Sequence, residues 1–250
     1  MVATSVSRTS AKRTPFPFLD LPFEIRLQVY EILLQQDRTL DLGSDYNAKL
    51  TRLFLLFLVC RQIHREAYPV FYGINTFRIF STDAPRTRRP LLSRMPPHHR
   101  AAVTKLELRL GPDWRKPTWK LTPKYGMADF TSLRLLKVFV ELDPEDSAIC
   151  REWMASWSSY TDFSVQLMEN LVDATPNGIS EVVFDGYPSV HKNGPLMRAL
   201  LGFWTRQGAK ISYGPIRGWA NEKADQDAPS KEITLLSKSL SHLSLGFPAF

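Results

Sequence analysis

Few residue combinations in this chain could do chemistry, and each has a plain structural reading beside it. Cys60 and His64 stand four apart, so one helix face could carry both to a metal ion. No second Cys/His pair completes a four-ligand set, and core packing accounts for both side chains. His98 and His99 follow two prolines, and the same shortage of partners weakens a metal role there. Asp143, Glu145 and Asp146 come after an apolar run, where a carboxylate pair could act as general acid and base. The same acids would also close a strand in a turn and place negative charge at the start of the next helix. No Gly-x-Ser-x-Gly elbow, phosphate-binding glycine loop or His-Glu-x-x-His pair occurs. The expectation is a protein with no catalytic residues, no metal and no cofactor.

Charge is the more suggestive signal. The chain of 250 residues carries a formal net charge of +7, which suits an acidic partner or nucleic acid. Arg86, Arg88, Arg89, Arg94 and Arg100 form the densest basic run, with His98 and His99 among them. Guanidinium groups stack and make bidentate contacts with phosphate or carboxylate. Trp114, Arg115, Lys116, Trp119, Lys120 and Lys124 interleave aromatics with cations, as single-strand binders do. Arg86, Arg88, Arg89 and Arg94 with Trp114, Arg115, Trp119 and Lys120 are the candidate surface for an acidic partner. Solvated basic loops are the alternative for both sets.

The elements that must position such groups begin with two apolar segments. In residues 19–34, Pro22 suits a first helical position, and Asp20 and Glu24 suit the positive end of the helix dipole. Ile25, Val29, Ile32 and Leu33 form one stripe, expected to be buried, and Leu27, Tyr30 and Leu34 a second; either both lie in the chain's own core, or the second faces a partner helix. Residues 53–67 read as a denser helix, with Leu50, Leu53, Phe54, Phe57, Cys60, Ile63, His64 and Ala67 near one face. Its uninterrupted apolar run, Leu53 to Cys60, is far short of the roughly 20 residues that a bilayer needs, so no membrane is expected. Pro69 is expected to break the helix, leaving Val70–Gly73 as a short turn. The unit holds more apolar surface than it can hide alone.

The Leu21-Pro22-Phe23-Glu24-Ile25-Arg26 start, the Val59-Cys60-Arg61-Gln62-Ile63-His64-Arg65-Glu66-Ala67 stretch and Phe71-Tyr72-Gly73-Ile74-Asn75-Thr76-Phe77 resemble a large group of fungal F-box-like proteins. The resemblance covers about residues 18–80. It implies a short helical module that binds the Skp adaptor of a cullin–RING ubiquitin ligase. Leu21, Pro22, Ile25, Val29, Ile32 and Leu33 match its first helix, and Val59, Cys60 and Arg61 its later Val-Cys-Arg element. A typical F-box carries Trp near the place that Ile63 and His64 occupy here. With the second stripe added, the expected adaptor-binding set is Leu21, Pro22, Ile25, Leu27, Val29, Tyr30, Leu33 and Leu34.

Beyond this unit, residues 75–80, 103–110, 135–142, 179–184 and 209–213 read as strands from their alternation. Helices are expected around 96–102, within 147–174 and over 194–206. Strands alternating with helices give an α/β fold of parallel units. The expected form is an irregular, leucine-rich-repeat-like curved sheet, mainly parallel, behind the helical module. A flexible basic tail (1–14), the helical module (15–73), a recognition domain (74–220), and a linker with a short C-terminal helix (221–250) would make up the chain. No signal-peptide core precedes the first helix, no Asn-x-Ser/Thr acceptor occurs, and Cys60 and Cys150 read as buried thiols. A cytoplasmic or nuclear adaptor presenting a protein substrate is the first functional expectation. A basic binding protein for nucleic acid or an acidic partner is the second.

Overall fold

Polar and apolar residues alternate along Lys105-Leu106-Glu107-Leu108-Arg109-Leu110, and a period of two sends them to opposite sides of a strand. The computed structural model, which describes residues 16–41, 48–79, 95–111, 126–143 and 157–219, builds its sheet from segments of this kind. In chain order the elements are α1 (Phe23–Leu34), α2 (Ala48–Phe57), α3 (Arg61–Ile74), β1 (Thr76–Arg78), α4 (Pro97–Ala102), β2 (Lys105–Leu110), β3 (Leu135–Val140), α5 (Trp157–Ala174), β4 (Glu181–Gly186), α6 (Pro195–Arg206) and β5 (Lys210–Tyr213). Among the described residues no helix is long and apolar enough to cross a membrane.

All five strands are parallel and lie in the order β1-β2-β3-β4-β5. The expected parallel α/β fold is therefore present. Every crossover moves one place in the same direction, and right-handed crossovers then put the described helices that follow β3 and β4 on one side of the sheet. Burial agrees. Leu106, Leu108 and Leu110 of β2, Leu136, Val138 and Val140 of β3, and Val182 and Phe184 of β4 are buried on one face. They join one core with Leu167, Met168 and Leu171 of α5 and with Leu196, Met197, Leu200 and Phe203 of α6.

That core also takes in Tyr30, Leu34, Phe57, Phe71 and Phe77, so it runs unbroken from the N-terminal helices into the sheet. Leu40 extends the sheet beyond β1: its N–H donates to Thr76 O and its carbonyl accepts from Arg78 N, each at 2.8 Å. Asn75, at the end of α3, ties these parts together. Its amide donates to Leu34 O at 2.8 Å and to Phe71 O at 2.9 Å, and its Oδ1 accepts from Gln36 N at 2.8 Å. One buried side chain thereby satisfies carbonyls left open at the ends of two helices.

Three local expectations change. Residues 53–67 are two helices, because Cys60 is extended (φ −160°, ψ 166°) and its Sγ accepts from Ile63 N at 3.5 Å as the cap of α3. The break lets Phe54 and Phe57 reach Phe71 from one side, at centroid distances of 5.7 and 5.8 Å. Pro69 does not end α3, which continues to Ile74. Pro69 is exposed, and so is Arg65, the residue whose carbonyl loses its helical partner. The two stripes of α1 are also inverted: Tyr30 and Leu34 are fully buried, whereas Ile25, Ile32 and Leu33 are exposed.

Candidate functional site

On the face of the sheet away from its helices, the register sets side chains in rows. One row runs Arg78, Glu107, Lys137, Val183, Ser212, and the next runs Arg109, Phe139, Asp185. A cavity of about 940 Å³ lies over this face, walled on the β1 side by residues 35–41 and on the β5 side by residues 214–216. Several of its charges are paired within it. Arg78 meets Glu107 at 3.1 Å and Asp41 at 3.5 Å. Glu107 also accepts from Thr39 Oγ1. Arg109 pairs with Glu141 at 2.8 Å, lies 4.5 Å from the ring centroid of Phe139, and donates to Tyr187 Oη at 3.1 Å. Asp185 accepts from the backbone of Ile216 and Arg217, which fixes the turn after β5. Such a mixed-sign, partly aromatic trough suits a polar polypeptide better than a uniform polyanion.

A second surface is the outer stripe of α1. Ile32 is 78% exposed, Leu33 51% and Ile25 43%, and Val29 between them is half-buried. Pro22 is exposed, while Leu21 and Leu27 are half-buried. Tyr30 and Leu34, expected in the partner-binding set, are corrected to core residues. The reason lies on α3: Glu66 receives Arg26 and Tyr30, which pins that side of α1 inward. Beyond the end of α2, Leu58 and Val59 are also exposed, at the break before α3.

A third cluster joins α3 to α4. His64, His98 and His99 bring one ring nitrogen each within 4.8 Å of the others. Tyr68 and Tyr72 flank them; Tyr72 stacks on His99 at 4.9 Å and 28°. His64 Nδ1 lies 3.1 Å from Phe57 O. Burial, with His98 and His64 adding to it, pushes His99 down to about 4. Cys60 has no part in this cluster, since its sulfur caps α3. Thirty-four residues separate His64 from His98, so no local spacing announces the convergence. Asn75 was equally silent in sequence, where it reads as the first residue of a strand.

Asp143 is buried at the end of β3, while Glu145 and Asp146 lie outside the described residues. Arg86, Arg88, Arg89, Arg94, Trp114, Arg115, Trp119 and Lys120 also lie outside them, as do Cys150, the basic tail and the C-terminal segment. Arg100 is described, and it is turned inward, with Nε 2.9 Å from Asp129. Compared with protein-family models, with curated proteins and with solved structures, the chain matches none.

Proposed function

We propose that this chain is a non-catalytic, F-box-like adaptor that docks on a Skp-type subunit of a cullin–RING ubiquitin ligase and presents a protein substrate. The observation that carries the reading is the outer stripe of α1. Ile25, Ile32 and Leu33 remain in solvent on a helix whose other side is locked by Arg26, Tyr30 and Leu34. A rigid helix offering an apolar stripe is how helix-in-groove partners are read. Behind it, strands in strict sequential order support a leucine-rich-repeat-like recognition domain, and the mixed-charge trough is its substrate surface. The mechanism is tethering, which raises the effective concentration of substrate at the ligase and needs no reacting group. A cytoplasmic or nuclear setting goes with that role.

The test is a pulldown of a purified Skp-type adaptor by the full chain and by an Ile25→Asp/Ile32→Asp variant. Both substituted positions are exposed, so circular dichroism should be unchanged. Stoichiometric binding that the variant loses supports the reading, and no binding by the wild type overturns it. Salt-sensitive binding of single-stranded nucleic acid by the wild type would favour a basic binding protein in its place.

A further inference from the structure

We infer that His64, His98 and His99 form a binding site for a divalent late transition-metal ion, zinc foremost. Three imidazoles from two elements converge with one ring nitrogen each within 4.8 Å of the others. A tetrahedral zinc site with Zn–N bonds of about 2.0–2.1 Å needs those nitrogens about 3.4 Å apart. At most about 1.4 Å of closure between nitrogens then remains, and His98, packed on Tyr68 and His99, is the most exposed of the three rings.

The state of each ring favours ligation. His64 Nδ1 lies 3.1 Å from the carbonyl of Phe57, which can only accept, so the proton sits on Nδ1 and the Nε2 lone pair is left free. A backbone carbonyl on the second nitrogen is how metal-bound histidines are commonly oriented. His99 Nε2 is buried and has no hydrogen-bond partner among the described residues. A buried polar nitrogen without a partner is costly, and a metal ion would satisfy it. His98, at the surface, gives the ion its entry path.

Nitrogen-only ligands suit zinc, copper or nickel rather than magnesium or calcium. Three protein ligands leave a fourth position for water or for a group from a partner. The bound ion would staple α3 to α4, and so join the helical unit to the segment that leads directly into β2.

The test uses the full chain without a polyhistidine tag, stripped with a chelator and titrated calorimetrically with zinc chloride. A parallel cobalt titration is followed by visible absorption. One ion per chain, with ligand-field bands of a four-coordinate cobalt site and a raised thermal midpoint, is expected. His98→Ala changes an exposed side chain and should weaken zinc binding at least tenfold. His64→Gln, which keeps an amide to meet the Phe57 carbonyl, should do the same; His191→Ala should change nothing. No zinc binding by the wild type, or a loss under tenfold in either ligand variant, overturns the site.

Discussion

Arg26 and Glu66, forty residues apart, face each other as a two-pronged ion pair, Nε to Oε2 at 2.9 Å and Nη2 to Oε1 at 2.7 Å. The same guanidinium donates to the carbonyls of Leu19 and Leu21, and Tyr30 Oη donates to Glu66 Oε2 at 2.9 Å. One carboxylate on α3 thus fixes the rotation of α1 and the turn before it. Rotation decides which apolar stripe is left outside.

This pair makes a prediction about pH. The Arg26 hydrogen bonds hold the Glu66 carboxyl down from 4.5 to about 2. A lowered carboxyl stabilises the fold fully above about pH 4.5 and loses that contribution as pH falls toward 2. Tyr30, pushed up to about 12 chiefly by burial, contributes below pH 10 and loses its share between 10 and 12. Urea midpoints of Glu66→Gln and wild type should therefore differ most from pH 5 to 9 and converge toward pH 2. A gap that is constant across the acid range would show that the pair does not form.

The inversion of the α1 stripes predicts opposite outcomes for two leucine-like neighbours. Leu34 is fully buried, so Leu34→Ala should cost about 2–5 kcal/mol through lost transfer energy and a cavity. Ile32 stands in solvent, so Ile32→Ala should stay within about 0.5 kcal/mol. Denaturant unfolding of the two variants reads this directly. Equal losses would mean that both stripes are core.

Asn75 predicts a cost that no apolar contact explains. Asn75→Ala would leave Leu34 O, Phe71 O and Gln36 N without their buried partner, at roughly 2–4 kcal/mol in total. Asn75→Asp is nearly isosteric yet replaces a donor by a carboxylate oxygen facing two carbonyls. It should unfold at a denaturant concentration no higher than that of the alanine variant at neutral pH. An aspartate variant as stable as wild type would refute the bonding pattern.

What the sequence made legible followed from periodicity, and what it hid followed from tertiary choice. Residues 135–142 and 179–184 announce β3 and β4 through alternation, and the observed strands Leu135–Val140 and Glu181–Gly186 lie within two residues of them. The face of α1 was hidden because both stripes are apolar, and the one that is buried carries Arg26. An arginine beside a stripe reads as solvent-facing until its partner Glu66 is in place. The break at Cys60 was hidden because helical spacing continues on both sides of it. Docking of Phe54 and Phe57 on Phe71 decides there, and Phe71 lies beyond any local window.

Pro69 yields the last prediction, from a feature that would ordinarily end a helix. A proline in a helix interior is about 3 kcal/mol less favourable than alanine, since it removes an N–H and crowds the preceding turn. In the unfolded chain its stiff ring returns about 0.4–1 kcal/mol, which alanine forfeits. At position 69 the side chain is exposed and α3 continues to Ile74 on the strength of Ala67, Phe71 and Tyr72, all buried. Pro69→Ala should therefore stabilise the chain by about 2 kcal/mol, read as a higher urea midpoint with unchanged slope. A lower midpoint would mean that the proline itself is needed for the packing of Tyr72 on His99 and Phe71 on Phe77.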